Sequence, residues 1–273
     1  MVNKIYHKVK SVLFSDPKEL YKEEHGLLKE PFYFPGTNGK AVLLIHGWTS
    51  VPYELRRLGK YLNENGYTVF GPMLRGHGTT SKDLENVYWE DWMCDANKAY
   101  EELAKNHKDI YVSGTSIGAN LTVMLAKNKP KISGIILMAM PYKVRLEKLG
   151  EIILKFFNIF IKYGRKFYPP FFGSPRLITR RISYRTYPIK SVLEVAKLIK
   201  ISRQEIPKIT QPCFVMQSSS DSVVSGNSLE KIYEKISSKV KEKKYIHKAY
   251  HTFISDIRNE HIFQDILDFI NNN

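Results

Sequence analysis

From about residue 40 to the C-terminus, short apolar runs alternate with amphipathic segments, and no other feature constrains the fold as tightly. Runs such as "KAVLLIHG" (40–47) and "ISGIILMAM" (132–140) are apolar on both faces of a strand. Strands of that kind must be covered on both sides, which a parallel sheet with crossover helices provides. Further strands are expected at "YTVFGP" (67–72), "DIYVSG" (109–114), "PCFVMQS" (212–218) and "KKYIHKA" (243–249), preceded by an antiparallel leader around "PFYFPG". Helices are expected near 52–64, 88–107, 117–128, 226–237 and 257–271. The fold class is α/β, a mostly parallel sheet with helices on both faces.

One interval, 142–190, breaks the alternation. It is rich in aromatic and basic residues and has no good core strand, so it reads as an insertion. The expected organisation is a core of 1–141 and 191–273 with a helical insertion at 142–190. Within it Leu149, Ile152, Ile153, Phe156, Phe157, Phe160 and Tyr163 share one helical face, opposite a mostly basic face, with Gly164 as the stop.

The chain has 273 residues, enough for one such domain. Its first residues contain no unbroken apolar stretch with a cleavage site, and no segment has the charge-free length of a bilayer span, so a cytoplasmic protein is expected. Cys94 and Cys213 have no metal-ligand spacing and are expected to be reduced and structural. The net charge of +15 is spread along the chain and reads as a solvated basic surface. No HExxH, CxxC pair or P-loop is present, and "RGHGTTS" lacks the third glycine of a dinucleotide loop. No metal and no cofactor are expected.

"GTSIG" (114–118) matches the G-x-S-x-G nucleophile elbow, and it lies between a predicted strand and a predicted helix, where that motif functions. The turn is tight, so Gly114 and Gly118 give the backbone room while Ser116 projects from the carboxyl end of the sheet. Ser116 alone is equally a helix N-cap. A serine nucleophile needs a base and an acid that orients the base, following in the order Ser, Asp or Glu, His. Asp221, just past the strand at 212–218, is the candidate acid, and Glu147, inside the insertion, the alternative. His251, just past the last strand, is the candidate base; His46 and His77 suit loop-shaping roles. The oxyanion would be met by the backbone N–H of Ile117 and that of Trp48 in "HGWTS".

With these motifs in order, the chain resembles the bacterial carboxylesterases and monoacylglycerol lipases of the α/β-hydrolase superfamily. The likeness runs through "FYFPGTNGKAVLLIHGWTS", "GYTVFGPMLRGHG", "YWEDWMCDA", "VSGTSIGA", "SSSDSVV" and "YHTFISD". It implies that Ser116, Asp221 and His251 are catalytic, that Trp48 and Ile117 supply the oxyanion N–H groups, and that the insertion is a helical lid over an acyl site. Tyr250 departs from the pattern, because a small residue commonly precedes the histidine. The expected activity is carboxylester hydrolysis on small acyl esters or lipids, with monoacylglycerol lipase as the nearest rival. Thioester hydrolysis and acyl transfer use the same triad. Peripheral contact with an anionic membrane is compatible with the basic insertion. Nucleic acid is not an expected partner, because no recognition module is present.

Overall fold

The computed structural model describes residues 27–143, 162–166, 183–247 and 249–273. Among them, strands β1 (Phe32–Phe34), β2 (Ala41–Ile45), β3 (Thr68–Gly71), β4 (Ile110–Thr115), β5 (Gly134–Met138), β8 (Cys213–Ser218) and β9 (Lys241–Ile246) form one sheet. Its order is β1-β3-β2-β4-β5-β8-β9. Only β1 runs antiparallel to its neighbour; the other pairings are parallel. After β2 the chain adds β3 on one side and then returns to place β4 on the other. The order therefore reverses between β2 and β4, the position where open α/β sheets leave a crevice at their carboxyl ends.

Period-two alternation explains how the strands are covered. Leu43, Ile45, Val112, Ile135 and Leu137 face one side, where they pack with α2 (Trp89–Ala104), α3 (Ile117–Asn128), α4 (Ile189–Glu205) and α5 (Ser228–Lys235). Val42, Leu44, Tyr111, Ile136 and Met138 face the other, against α1 (Tyr53–Glu64) and α6 (Ile262–Asn272). The expected strands and α1, α2, α3, α5 and α6 all form, with ends shifted by a few residues; the region expected as one helix from 257 begins with a 3-10 turn at Ile257–Asn259.

Two findings depart from the expectations. Helix α4 was absent from them, because its buried face carries Ser191, Glu194 and Ser202 beside Leu198, which spoils the apolar periodicity. Tyr163, expected on the insertion's helical face, instead opens strand β6 (Tyr163–Arg165), which pairs antiparallel with β7 (Thr186–Pro188). Gly164 is the centre of that ribbon rather than a helix stop. A Cβ there would lie 2.5 Å from the Tyr187 ring, so a side chain at this position would have to displace that ring. The rest of the expected insertion helix lies outside the described residues, as does Glu147. Cys213 is buried as expected, whereas Cys94 is exposed on α2 and has no structural role in the core.

Candidate active site

The turn from β4 into α3 holds Ser116 at φ 53°, ψ −121°, in the left-handed half of the map that non-glycine residues avoid. It is held there from both sides. The Ser116 N–H donates to the Met138 carbonyl at 2.9 Å, and the Ser116 carbonyl accepts from Ala119 N–H at 3.0 Å. The flanking glycines are obligatory for space: a Cβ on Gly114 would lie 2.2 Å from the Gly118 carbonyl carbon, and one on Gly118 would lie 2.1 Å from the Ile45 carbonyl oxygen. Helix α3 thus passes too close to β2 and β4 for any side chain. Of the other two hydroxyls in this stretch, Ser113 and Thr115 are both buried, and the Ser113 Oγ has no partner among the described residues.

Asp221 and His251 arrive from the ends of β8 and β9. The β9 loop is tied to the β8 loop by Ser218, whose Oγ donates to the Ala249 carbonyl at 2.6 Å and accepts the Ser220 N–H at 3.1 Å. Asp221 Oδ1 accepts the N–H groups of Val223 and Val224 at 2.8 and 2.9 Å. That leaves Oδ2 for His251 Nδ1 at 2.8 Å, while His251 Nε2 lies 3.1 Å from Ser116 Oγ. The three residues predicted from sequence therefore meet in one continuous relay. Burial alone would raise the Asp221 carboxyl, but the charge and hydrogen bond at His251 and the two backbone donors outweigh it and hold the pKa below its ordinary value. The acid stays ionised beneath the imidazole.

The loop after β2 runs beside this relay: a Cβ on Gly47 would lie 3.4 Å from Ser116 Cβ. Neither Trp48 N–H nor Ile117 N–H has an acceptor among the described residues. Thr49, at φ 61°, turns the loop, and its N–H donates to His77 Nε2 at 2.9 Å. His46 Nε2 accepts from Leu74 N–H at 3.1 Å, and its Nδ1 pairs with the Gly47 carbonyl at 2.9 Å. Burial pushes the His46 imidazole down to about 4, and His77 also falls well below its ordinary value through burial and the neighbouring His46. Both are neutral struts of the loops, as their neighbours in sequence suggested.

Four contributors escaped the sequence reading. Ser191 on α4 accepts the Trp48 indole N–H at 2.8 Å, and Trp48 packs on Tyr187 of β7 with centroids 5.0 Å apart. Tyr184 stacks on His77, accepts Thr79 N–H at 2.9 Å and donates to the Gly76 carbonyl at 3.0 Å. Lys166, next to β6, donates to Thr49 Oγ1 and to Ser183 Oγ. Glu54, buried in the first turn of α1, accepts Gly47 N–H at 3.0 Å. Only the aromatic content of the insertion hinted at any of these. Tyr250 is 38% exposed. A separate cleft of about 400 Å³ lies between Glu85–Tyr88 and α4, lined in part by Lys190, Lys197 and Lys200, and it includes none of the relay residues.

Among the described residues no group of three or more His, Cys, Asp or Glu is placed to hold a metal, and no helix is long and apolar enough to cross a membrane. Residues 36–258 match the family model described as serine aminopeptidase, S33. The chain is 30% identical over 244 residues to a carboxylesterase of Bacillus subtilis (strain 168), covering 88% of this chain and 96% of that protein. It is 29% identical to a thermostable monoacylglycerol lipase of Bacillus sp. (strain H-257), covering 88% and 93% respectively. Among solved structures, one from the study of the metagenome-derived lipolytic enzymes LipS and LipT superposes with a TM-score of 0.80 at 26% identity, over 90% of this chain and 98% of that one. A monoacylglycerol lipase of Paleococcus ferrophilus shares the fold, with a TM-score of 0.74 at 17% identity over 89% and 99% of the two chains. A relay built on a strained serine at the sheet's reversal point, and a family match across most of the length, lead to one conclusion: the chain belongs to the α/β-hydrolase family, as an esterase/lipase-type hydrolase.

Proposed function

We propose that this protein is a serine carboxylester hydrolase that cleaves acyl esters through an acyl-enzyme on Ser116. The observation that carries the reading is the unbroken relay from Ser116 Oγ through His251 to Asp221. His251 Nε2 takes the hydroxyl proton as Ser116 Oγ attacks the ester carbonyl, and the resulting oxyanion is met by Trp48 N–H and Ile117 N–H. The C–O bond to the alcohol then breaks, and His251 returns its proton to the departing oxygen. Water attacks the acyl-enzyme with His251 again as base, and the acid leaves as Ser116 Oγ is reprotonated. Asp221 fixes the imidazole tautomer and stabilises its transient positive charge. Residues 142–190 act as the lid of the acyl site, with Trp48 and Tyr187 forming part of its aromatic wall.

The test is Ser116→Ala assayed on a series of p-nitrophenyl esters. Its kcat should fall by about a millionfold, and a fluorophosphonate should label the wild type but not the variant. Turnover near the wild-type rate would overturn the assignment. A second reading, monoacylglycerol lipase, is favoured by the 29% identity to such an enzyme along 93% of its length. Comparing short-chain esters, long-chain esters and monoacylglycerols in one assay separates the two: higher kcat/KM on monoacylglycerols selects the lipase.

A further inference from the structure

The relay leaves one buried ionisable group beside the site without a task. Glu54 is 4% exposed, projects from the first turn of α1 and faces the loop between β2 and α1. Its Oε2 accepts Gly47 N–H at 3.0 Å, and its carboxyl also bonds the Ser50 side chain. Two charged or titratable groups face it from other elements, His251 from the loop after β9 and Lys166 from beside β6. Burying a carboxyl is costly unless its hydrogen bonds are satisfied, and burial indeed pushes its pKa up against the opposing pull of Gly47, Ser50, His251 and Lys166. A glutamate in such a place is a poor choice for stability alone, since an apolar side chain of the same length would fill the space without that cost.

Its position suggests what it does. The Gly47 N–H and the Trp48 N–H belong to consecutive peptides joined at Gly47, so the Glu54 bond to the first and the His46 bond to the Gly47 carbonyl in the second together restrict the φ and ψ that aim the Trp48 N–H. The same loop is held on its other side: His46 pairs with the Gly47 carbonyl, His77 takes the Thr49 N–H, and Tyr184 N–H donates to the Thr49 carbonyl at 3.0 Å. Glu54 anchors the loop beside Ser116: a Cβ placed on Gly47 would be 3.4 Å from both Glu54 Oε2 and Ser116 Cβ.

We propose that Glu54 is a positioning residue for ester hydrolysis: by accepting the Gly47 N–H it aims the Trp48 N–H at the oxyanion. This rests on the reading of Ser116 as nucleophile and of Trp48 as an oxyanion donor. The role belongs to the acceptor oxygen rather than to the charge. A side chain of equal length without an acceptor should therefore lose transition-state stabilisation, while glutamine should keep most of it.

The experiment compares wild type, Glu54→Met and Glu54→Gln for kcat, KM and affinity for a trifluoromethyl ketone, whose serine adduct places an oxyanion in the same donors. Glu54→Met should lose about 100-fold in kcat, the scale of one oxyanion donor, with KM changed less than threefold. Its affinity for the ketone should fall in parallel, and Glu54→Gln should stay within about tenfold of wild type in both. If Glu54→Met does not fold, Glu54→Asp, one methylene too short to reach Gly47, takes its place under the same criteria. Ketone affinity within twofold of wild type in the methionine or aspartate variant, or equal losses in the glutamine variant, would overturn the proposal. Those results in an active wild type leave the ester-hydrolase reading intact. A wild type that neither turns over esters nor reacts with a fluorophosphonate would defeat both.

Discussion

At the scale of single residues, the site depends on where a side chain is forbidden as much as on where one acts. Ser116 sits at a backbone conformation that costs on the order of 1–3 kcal/mol, and the cost is met by the packing of α3 against β2. The atom nearest a new Cβ on Gly118 is a backbone carbonyl oxygen of a central strand, which cannot swing aside. Gly118→Ala should therefore destabilise the protein by about 2 kcal/mol or more, lower its urea midpoint, and abolish ester turnover by displacing Ser116. A variant of wild-type stability and rate would contradict the close approach of α3 to β2. Asp221 makes the opposite case, where a specific atom is indispensable. Its Oδ1 is occupied by two backbone donors and only Oδ2 meets His251. In Asp221→Asn the amide that replaces one oxygen offers a donor to one of these donors. Either the turn or the imidazole tautomer is lost, and kcat should drop by about 10⁴ with the fold retained by circular dichroism.

At the scale of elements, the core strands and the helices between them were legible because their signals are local. An apolar run bounded by turn residues declares a buried strand within eight residues, and the elbow and the acid follow closely on such runs, while the base follows β9, an edge strand of mostly charged residues. The triad could be assembled from sequence because a parallel sheet sends the ends of β4, β8 and β9 to one edge. Helix α4 and Glu54 were illegible for complementary reasons. Glu54 bonds Gly47 only seven residues away but reads as an ordinary first-turn helix acid. The buried polar groups of α4 have partners far away in sequence: Ser191 bonds Trp48, 143 residues earlier, and Ser202 accepts from Asn120, 82 residues earlier. No window of periodicity contains both halves of such a pair. The β6–β7 ribbon was hidden likewise, since its two strands are three residues each and far apart in the chain. Helix α4 nevertheless braces the loop after β2 through the Trp48 indole. Ser191→Ala should cost about 1 kcal/mol of stability and lower kcat on a short-chain ester, without abolishing it. An unchanged kcat would show that the indole contact does not steady the Trp48 peptide.

At the scale of the whole molecule, charge and buried histidine act together in acid. The chain carries +15 with its histidines neutral, so each further proton adds to self-repulsion in the compact state. His46 is fully buried, with a folded pKa of about 4 against an ordinary 6.5, and His77 is lowered as well. Between those two values the unfolded chain binds protons that the folded chain refuses. Stability is therefore complete above about pH 6.5 and is lost as the pH falls toward 4. For His46 alone the loss is on the order of 3 kcal/mol. Asp221, whose pKa is lowered, withdraws its contribution only below its ordinary value of 3.8, so it does not confuse the histidine window. Urea midpoints measured from pH 7.5 to 4 should thus decline below 6.5, with Glu54, whose pKa burial raises, binding its proton more readily in the folded state and offsetting part of that decline. His46→Gln should be less stable at neutral pH, because the paired loop bonds to Leu74 and Gly47 are compromised, yet its decline between pH 6.5 and 4 should be shallower. A wild-type profile flat down to pH 4.5, or a variant with an undiminished slope, would mean that His46 does not set the acid limit of the fold.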